Sequence, residues 1–578
     1  MKYNKMALII IITAFIVNSL LYSYLSVMKY FSFHATVFDL GVSSQAIYNV
    51  FQGGLIATSL NPTPILMNKL IYILIAPFYY LYPHEYILLI FQSVWLSFGI
   101  IPLYFISNNI LSRSNSLLFS LSYLLYYPLY GTYFFDFHFM ALFPTFFLIS
   151  IYFFLKNKYK TSLLFITLSA ITDLLAPVII GLFALAYLLI HYKKLEKIKK
   201  EYFIIAFSIS LIIFVVANLY YGINVTTRYT STIITPALSI YRDSLETKIL
   251  FIFRVTFPLM FLSFFGVEWF LLVIPFYLLF FISGNSFYGD TLLYQYPALY
   301  ASGIFLSALF GIKNIKNLKY IKKHNFKKLN LKKVLATILI LNIVLAIFFT
   351  PAGSLIVNQD SHSSVREVIT GNNLYYNEYG CINYNINDKY LNVLIALIPL
   401  HSSVLIQNNM PQLTQKYNWQ LPADANNPQY IITDIYSSTF DVPQISNKLM
   451  VNEFNGYYKS DNYGIYAEIN GMILLEKNYD GSPVKFIPLQ YSVEPDSNIG
   501  HLTNFIAPGT YNLSIAFDNN YNGNLSIVFG NGTLNNYTVH DQNNYFMNIS
   551  SNAYVHGFTV IINNSDKINN FTITQTKY

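Results

Sequence analysis

Over the first 350 residues, apolar positions come in long runs separated by short polar segments; beyond residue 350 the runs shorten and apolar residues alternate with polar ones. A bilayer core of about 30 Å takes roughly 20 apolar residues per helix. On that ruler eleven spans are predicted: 6–28, 86–107, 117–133, 140–155, 161–173, 177–192, 202–220, 249–265, 269–282, 297–312 and 334–349. A further apolar stretch, 64–82, is interrupted by Lys69 and Pro77 and is read as interfacial helix in the first outer loop. Counting it as a span would invert every later loop and put the lysine runs 193–200 and 313–333 outside, against the bias of Lys and Arg for cytoplasmic loops. The expected chain is a polytopic α-helical membrane protein with its N-terminus cytoplasmic. Residues 1–350 form the bundle and everything after Thr350 is extracytoplasmic.

The outer part divides by its periodicity. Residues 351–482 are read as a small α/β domain, because short apolar runs at 403–407 and 430–436 alternate with helix-like stretches. In 483–578, the segments 511–517 and 524–529 alternate in strand fashion between Asn- and Gly-rich turns, which predicts a β-sandwich. Sequons of the N-x-S/T type crowd this end, at Asn512, Asn524, Asn531, Asn536, Asn548, Asn563 and Asn570, and predict a glycosylated surface.

Composition supports lipid as the solvent for much of the chain. Of 578 residues 54% are hydrophobic and 11% charged, where soluble domains carry about 25% charged residues. The net charge of +8 is not a nucleic-acid signal, since 14 of the 35 basic residues fall in the two lysine runs. The single cysteine, Cys381, excludes an intramolecular disulfide. Lys2 and Lys5 before the first apolar run are read as the flank of an uncleaved first span.

Ten of the 27 acidic residues lie before Thr350. Charge in a membrane bundle is costly and marks function by default. The topology puts seven of the ten outside, and three stand on consecutive outer turns: Asp39, Asp136 and Asp173. Asp39 and Asp136 are embedded among Phe and Leu. Asp173, four residues before Pro177, is also placed to cap the following helix. Asp136 and His138 have a spacing that can hold a divalent metal such as Mg or Mn, although two ligands alone do not make a site.

The segments Phe38-Asp39-Leu40-Gly41, with Gln45 and Asn49 following, and Phe135-Asp136-Phe137-His138 resemble a prokaryotic membrane family catalogued as domain of unknown function 2079. Gln295-Tyr296-Pro297, Ile398-Pro399, Ser403-Val404 and Tyr430-Ile431-Ile432-Thr433-Asp434 extend the resemblance over roughly 6–480. Two positions depart from it: Asn61-Pro62-Thr63-Pro64 stands where His-x-x-Pro is expected, and Ile171-Thr172-Asp173 where a Lys-Glu-Asp-like triplet is expected. That family is in turn similar to the GT-C class of membrane glycosyltransferases. The resemblance implies a GT-C-like bundle that passes a sugar from a polyprenyl-phosphate donor to a glycan or protein acceptor on the outer face of an archaeal plasma membrane. It implies Asp39 as general base, Asp136, His138 and Asp173 as substrate or metal ligands, and Lys69 and Arg254 as cations for the phosphate. Two further readings stand beside it: a non-enzymatic surface protein whose outer domain binds glycans or partners, and a transporter.

Overall fold

A computed structural model describes residues 5–51, 58–59, 70–221, 245–282, 286–317, 330–350, 353, 356, 386–422, 425–434, 454–460, 462–493, 499–501, 509–529, 534–551, 558–562 and 568–577. The chain divides into two compact units: Met1–Lys29 with Ser43–Ile382, and Tyr30–Val42 with Asn383–Tyr578. The segment carrying Asp39 thus belongs to the second unit.

The first unit is helical. Among the described residues, five helices have the length and composition to cross a bilayer: Lys5–Phe31, Tyr86–Ser107, Lys197–Ala217, Ala298–Ile315 and Leu331–Phe349. Several of the eleven runs expected as spans are broken or shorter helices in this structure. The run 117–133 is two helices, Arg113–Leu124 and Leu129–Phe134, with Pro128 at the break. The run 249–265 ends its helix at Thr256, where Phe257–Leu259 tightens around Pro258 and Met260 and Phe261 turn left-handed. The run 269–282 is divided into Val267–Phe270 and Ile274–Ile282. Proline lacks the N–H that continues a helix, and hydropathy does not register that loss. The interfacial stretch forms the 12-residue helix Leu70–Leu81, at roughly 18 Å too short to cross a bilayer.

Close backbone approach holds this unit together where side chains are smallest. Gly303, Ser307 and Gly311 line one stripe of Ala298–Asn317, and a Cβ added at Gly311 or Gly266 would collide with the carbonyl of Leu262 or of Ser307. Small residues at such spacing let helix backbones meet where lipid offers no hydrophobic drive. The core is rich in tyrosine, and two of its hydroxyls bond to main chain inside the unit: Tyr126 Oη donates to the Val255 carbonyl at 2.7 Å and Tyr127 Oη to the Arg254 carbonyl at 2.9 Å.

The second unit contains two sheets. The first has strand order β2-β1-β3-β5-β4-β6, with β1 Ser403–Leu405, β2 Asn418–Gln420, β3 Tyr430–Thr433, β4 Tyr463–Ile469, β5 Met472–Lys477 and β6 Lys485–Ile487. β1 runs parallel to both β2 and β3, and β5 is antiparallel to β3. The helix Ile386–Ile395 packs on this sheet, as the α/β reading expects. Its last strand carries the α/β unit to Ile487, five residues beyond the expected boundary.

The second sheet links β7 Gln490–Val493, β12 Ile568–Lys577, β9 Gly509–Phe529, β11 Phe558–Ile562 and β8 Ile499–His501, with β10 Leu534–Ser551 paired to β9. The described strands therefore form one hydrogen-bonded sheet. The segments 511–517 and 524–529, expected as separate strands around a turn, are one 21-residue strand. The polar residues between them keep the strand period, and the irregularity falls on the partner, where register shifts flank Gln542 and Asp541 has φ 48°. Tyr511, Leu513, Ile515, Phe517, Tyr521, Leu525 and Ile527 all fall on one face of β9 and are buried.

Glu468 of β4 links the two sheets. It is fully buried, and one oxygen accepts from Gln575 Nε2 at 2.5 Å while its other oxygen has no hydrogen-bond partner among the described residues. Gln575 in turn pairs with the backbone of Leu489 through its own main chain and its side-chain oxygen. Desolvation raises the Glu468 carboxyl from 4.5 to about 7. The folded state holds this proton more tightly than the unfolded one, so its contribution is complete below 4.5 and is lost as pH rises through about 7, a difference of roughly 3 kcal/mol. Hydrogen exchange in β4 and β12 should therefore be faster at pH 8 than at pH 5 in the wild-type chain. Glu468→Gln should flatten that dependence; an unchanged pH response in the variant would remove Glu468 as its source.

Candidate functional site

In the second unit the Asp39 segment is a wide π-helical turn, Val37–Gly41. Thr36 caps it: its Oγ1 accepts from Asp39 N at 3.4 Å and lies 3.5 Å from Asp39 Oδ2. Val37 and Leu40 are fully buried, Asp39 is half-buried, and the Phe38 ring is 44% exposed. The turn is tied to the loop after β1 by Val37 N donating to the Asn408 carbonyl at 2.6 Å and Phe38 N donating to Asn408 Oδ1 at 3.2 Å. Gly41 is required by contact, since a Cβ there would stand 2.6 Å from Thr414 Cγ2. The motif Phe-Asp-Leu-Gly thus buries two side chains as anchors, presses its glycine against a neighbouring turn and leaves the ring and carboxylate toward solvent.

In the first unit Asp136 is buried and ion-paired. Lys29 Nζ stands 3.0 Å from Asp136 Oδ1 and donates to the Phe134 carbonyl at 3.0 Å, with the Phe135 ring 5.8 Å away. Side-chain exposure is 6% for the lysine and 2% for the aspartate. Gln92 fixes the same turn from the other side. Its Nε2 donates to the carbonyls of Thr132 (2.8 Å) and Phe135 (3.3 Å), and its Oε1 accepts from His138 N at 2.9 Å. His138 Nδ1 lies 3.3 Å from the Asp136 carbonyl.

Asp173 accepts from Leu175 N at 2.8 Å, an Asx-type turn just ahead of the helix Ala176–His191, whose N-cap residue is Leu175 and carries no side-chain cap bond. His138 and Tyr288 are both within electrostatic reach of it. The fold therefore brings together the Asp136–His138 turn and the Asp173 turn. Arg254 is buried in the last turn of Leu245–Thr256, within reach of Tyr127 and Tyr300. Lys69 lies outside the described residues.

The donors that a divalent metal would need do not converge. The Asp136 carboxylate already faces an ammonium, and among the described residues no three His, Cys, Asp or Glu side chains gather. The expected Asp136–His138 metal pair therefore does not fit a metal centre on its own.

Of the sequons, Asn512, Asn524, Asn536 and Asn548 are exposed and Asn570 is half-buried, all within paired strands. Asn531 and Asn563 lie outside the described residues. Asn512 faces Asn548 across the β9–β10 pair, and Ser526 Oγ donates to Asn536 Oδ1 at 2.7 Å.

Lys29, Gln92 and Asn408 hold these turns in place, and the sequence patterns above do not single them out. Lys29 carries a signal all the same: a lysine at the end of a long apolar helix needs an anion, and Asp136 sits on a later turn between apolar runs. Gln92 and Asn408 carry none.

A family profile described as "Predicted membrane protein (DUF2079)" matches residues 29–474. No curated protein matches the chain. Among solved structures, it is similar to the Archaeoglobus fulgidus oligosaccharyltransferase tethered to an acceptor peptide containing the NVT sequon. That match has 10% identity, covers 96% of this chain and 97% of that one, and has a TM-score of 0.39. The apo form of the same enzyme matches at 11% identity, 96% and 95% coverage and a TM-score of 0.39. Its complex with Zn and sulfate matches at 10% identity, 96% and 98% coverage and a TM-score of 0.37.

Proposed function

The chain belongs to the DUF2079 family of predicted membrane proteins, and on that premise we propose that it is a glycosyltransferase taking a sugar from a polyprenyl-phosphate donor to an acceptor on the outer face of the membrane. In this reading the N-terminus is cytoplasmic and the second unit extracytoplasmic, in line with the lysine runs. The observation that carries it is the Asp39 turn: a half-exposed carboxylate held on a built-in platform of buried Val37 and Leu40. A surface acid with no function needs no such mounting.

The chemistry follows from the roles. An acceptor hydroxyl attacks the anomeric carbon, the new C–O bond forms as the bond to the phosphate oxygen breaks, and the leaving phosphate takes the electron pair. Asp39 receives the hydroxyl proton. The charge developing on the phosphate calls for a cation, for which Arg254 and Lys69 are the candidates; Lys29 is engaged with Asp136. His138 and Asp173 form a second polar pair suited to anchoring substrate hydroxyls. Asp136 holds its turn in shape through Lys29 and acts as a positioning residue. The same ion pair also favours a non-enzymatic reading, because it gives one of the three acids a structural reason to be there.

The test is mass spectrometry of surface glycoproteins and lipid-linked glycans from a deletion strain and from the strain with the gene restored. Loss of one sugar on deletion and its return on complementation is expected. Glycans unchanged by deletion, in a strain with no second copy of the gene, would overturn the proposal in favour of a surface-binding role.

A further inference from the structure

The carboxyl ends of the parallel strands β1 and β3 carry a row of amide side chains with unusual bonding. Gln407 and Asn408 follow β1 after Ile406 and are 3% and 6% exposed. Each is oriented by its oxygen: Gln407 Oε1 accepts from Asp434 N at 2.6 Å, just after β3, and Asn408 Oδ1 accepts from Phe38 N. These bonds fix which end of each amide is nitrogen. Among the described residues, the Nε2 of Gln407 and the Nδ2 of Asn408 are then left buried with no hydrogen-bond partner, and so is the Oε1 of Gln412, whose Nε2 donates to Asp388 Oδ1 at 3.1 Å. Leaving such groups unmade costs about 1–3 kcal/mol each, and three in one stretch of six residues call for something that supplies both acceptors and donors.

In open α/β sheets ligands bind outside the carboxyl ends of the parallel strands. Two donors and one acceptor match a ligand whose groups are both, which is the property of hydroxyls. The three unmet groups are all uncharged amides, which suits a neutral ligand. The backbone N–H of Phe38, whose ring is exposed, is the donor to Asn408 in this row, and an aromatic ring with amide groups suits the C–H face and hydroxyls of a pyranose.

We propose that Gln407, Asn408 and Gln412, with the ring of Phe38, form a binding site for a neutral saccharide at the carboxyl ends of β1 and β3. Asp39 is the next residue after Phe38, so a sugar stacked on the ring brings its hydroxyls beside that carboxylate. Naming this saccharide the acceptor rests on the transferase reading; the binding itself does not.

The experiment uses the full chain in nanodiscs, with methyl glycosides of glucose, galactose, mannose and N-acetylglucosamine as probes and saturation-transfer NMR and calorimetry as readouts. Asn408→Asp keeps an oxygen that can accept from Phe38 N and replaces the side-chain N–H donors with a second, ionisable oxygen; Phe38→Ala removes the ring. Each variant should bind the preferred glycoside about tenfold more weakly or worse, and Phe38→Ala, which removes an exposed ring, should do so with thermal stability close to wild type. Wild-type binding that neither variant weakens would place the sugar elsewhere and overturn the proposal. Absence of binding to every glycoside would also overturn it, leaving the amides to water, and if deletion still removed a surface sugar the transferase reading would survive alone. Binding lost in both variants, in a chain whose deletion leaves glycans unchanged, would establish the site and remove the transferase reading.

Discussion

Asp39→Asn should leave the chain folded and inserted while lowering sugar transfer by roughly 10² to 10⁴-fold, the usual worth of a positioned general base. Asparagine has the same shape, and the bond from the backbone N–H of residue 39 to Thr36 Oγ1 does not involve the side chain. Val37 and Leu40, which anchor the turn, are untouched. The substitution therefore separates chemistry from architecture. Transfer is read as the rate of sugar appearance on the acceptor in membranes from the deletion strain carrying each version at equal expression. A fall of less than tenfold would remove Asp39 from the role of base, even with the transferase reading intact.

The second large effect concerns stability. Asp136→Ala removes the carboxylate 3.0 Å from the buried Lys29 ammonium, which keeps its bond to the Phe134 carbonyl. Removing one partner of a buried pair costs about 3–5 kcal/mol, because the remaining charge is uncompensated. The double variant Lys29→Met with Asp136→Leu should recover most of that loss, since apolar residues of similar volume often replace a buried pair without penalty. Temperature-dependent loss of the monodisperse peak in detergent would compare the three chains. A single variant as stable as wild type would show that the pair is not structural. A stable double variant that has lost transfer would show that Asp136 does more than hold its turn.

Several elements are legible in the amino-acid sequence alone. The helix Lys5–Phe31, the long apolar helix 86–107 and the α/β character of the segment around Tyr430–Thr433 all follow from periodicity, because burial against lipid or within a sheet imposes a repeat on the residues themselves. Other readings fail where one local feature outweighs the pattern. Pro128 and Pro258 interrupt runs whose hydropathy is unbroken. The Asn-rich stretch 518–523, which has the composition of a turn, continues as strand.

The sequons show a subtler limit. N-x-S/T has the two-residue spacing of a strand, so Asn-rich strands whose outward positions take Asn, Ser and Thr generate sequons by alternation alone. Asn512, Asn524, Asn536 and Asn548 all sit on such outward positions. These four of the seven are thus accounted for by the sheet, and whether they carry glycans is a separate question that intact-mass measurement answers.

The sequence by itself determined the solvent of each part of the chain, the general class of both units and the acidic turns that merit attention. Each of these depends on composition or on neighbours a few residues apart. Only the tertiary structure decided what the acids do with their charge. Lys29 meets Asp136 across 107 residues and Asn408 holds Phe38 across 370. Such pairings arise from where helix breaks and strand ends bring the backbone, and no local spacing encodes them. The same residue type is therefore a buried half of an ion pair at Asp136, the acceptor of a local turn bond at Asp173 and a half-exposed carboxylate at Asp39.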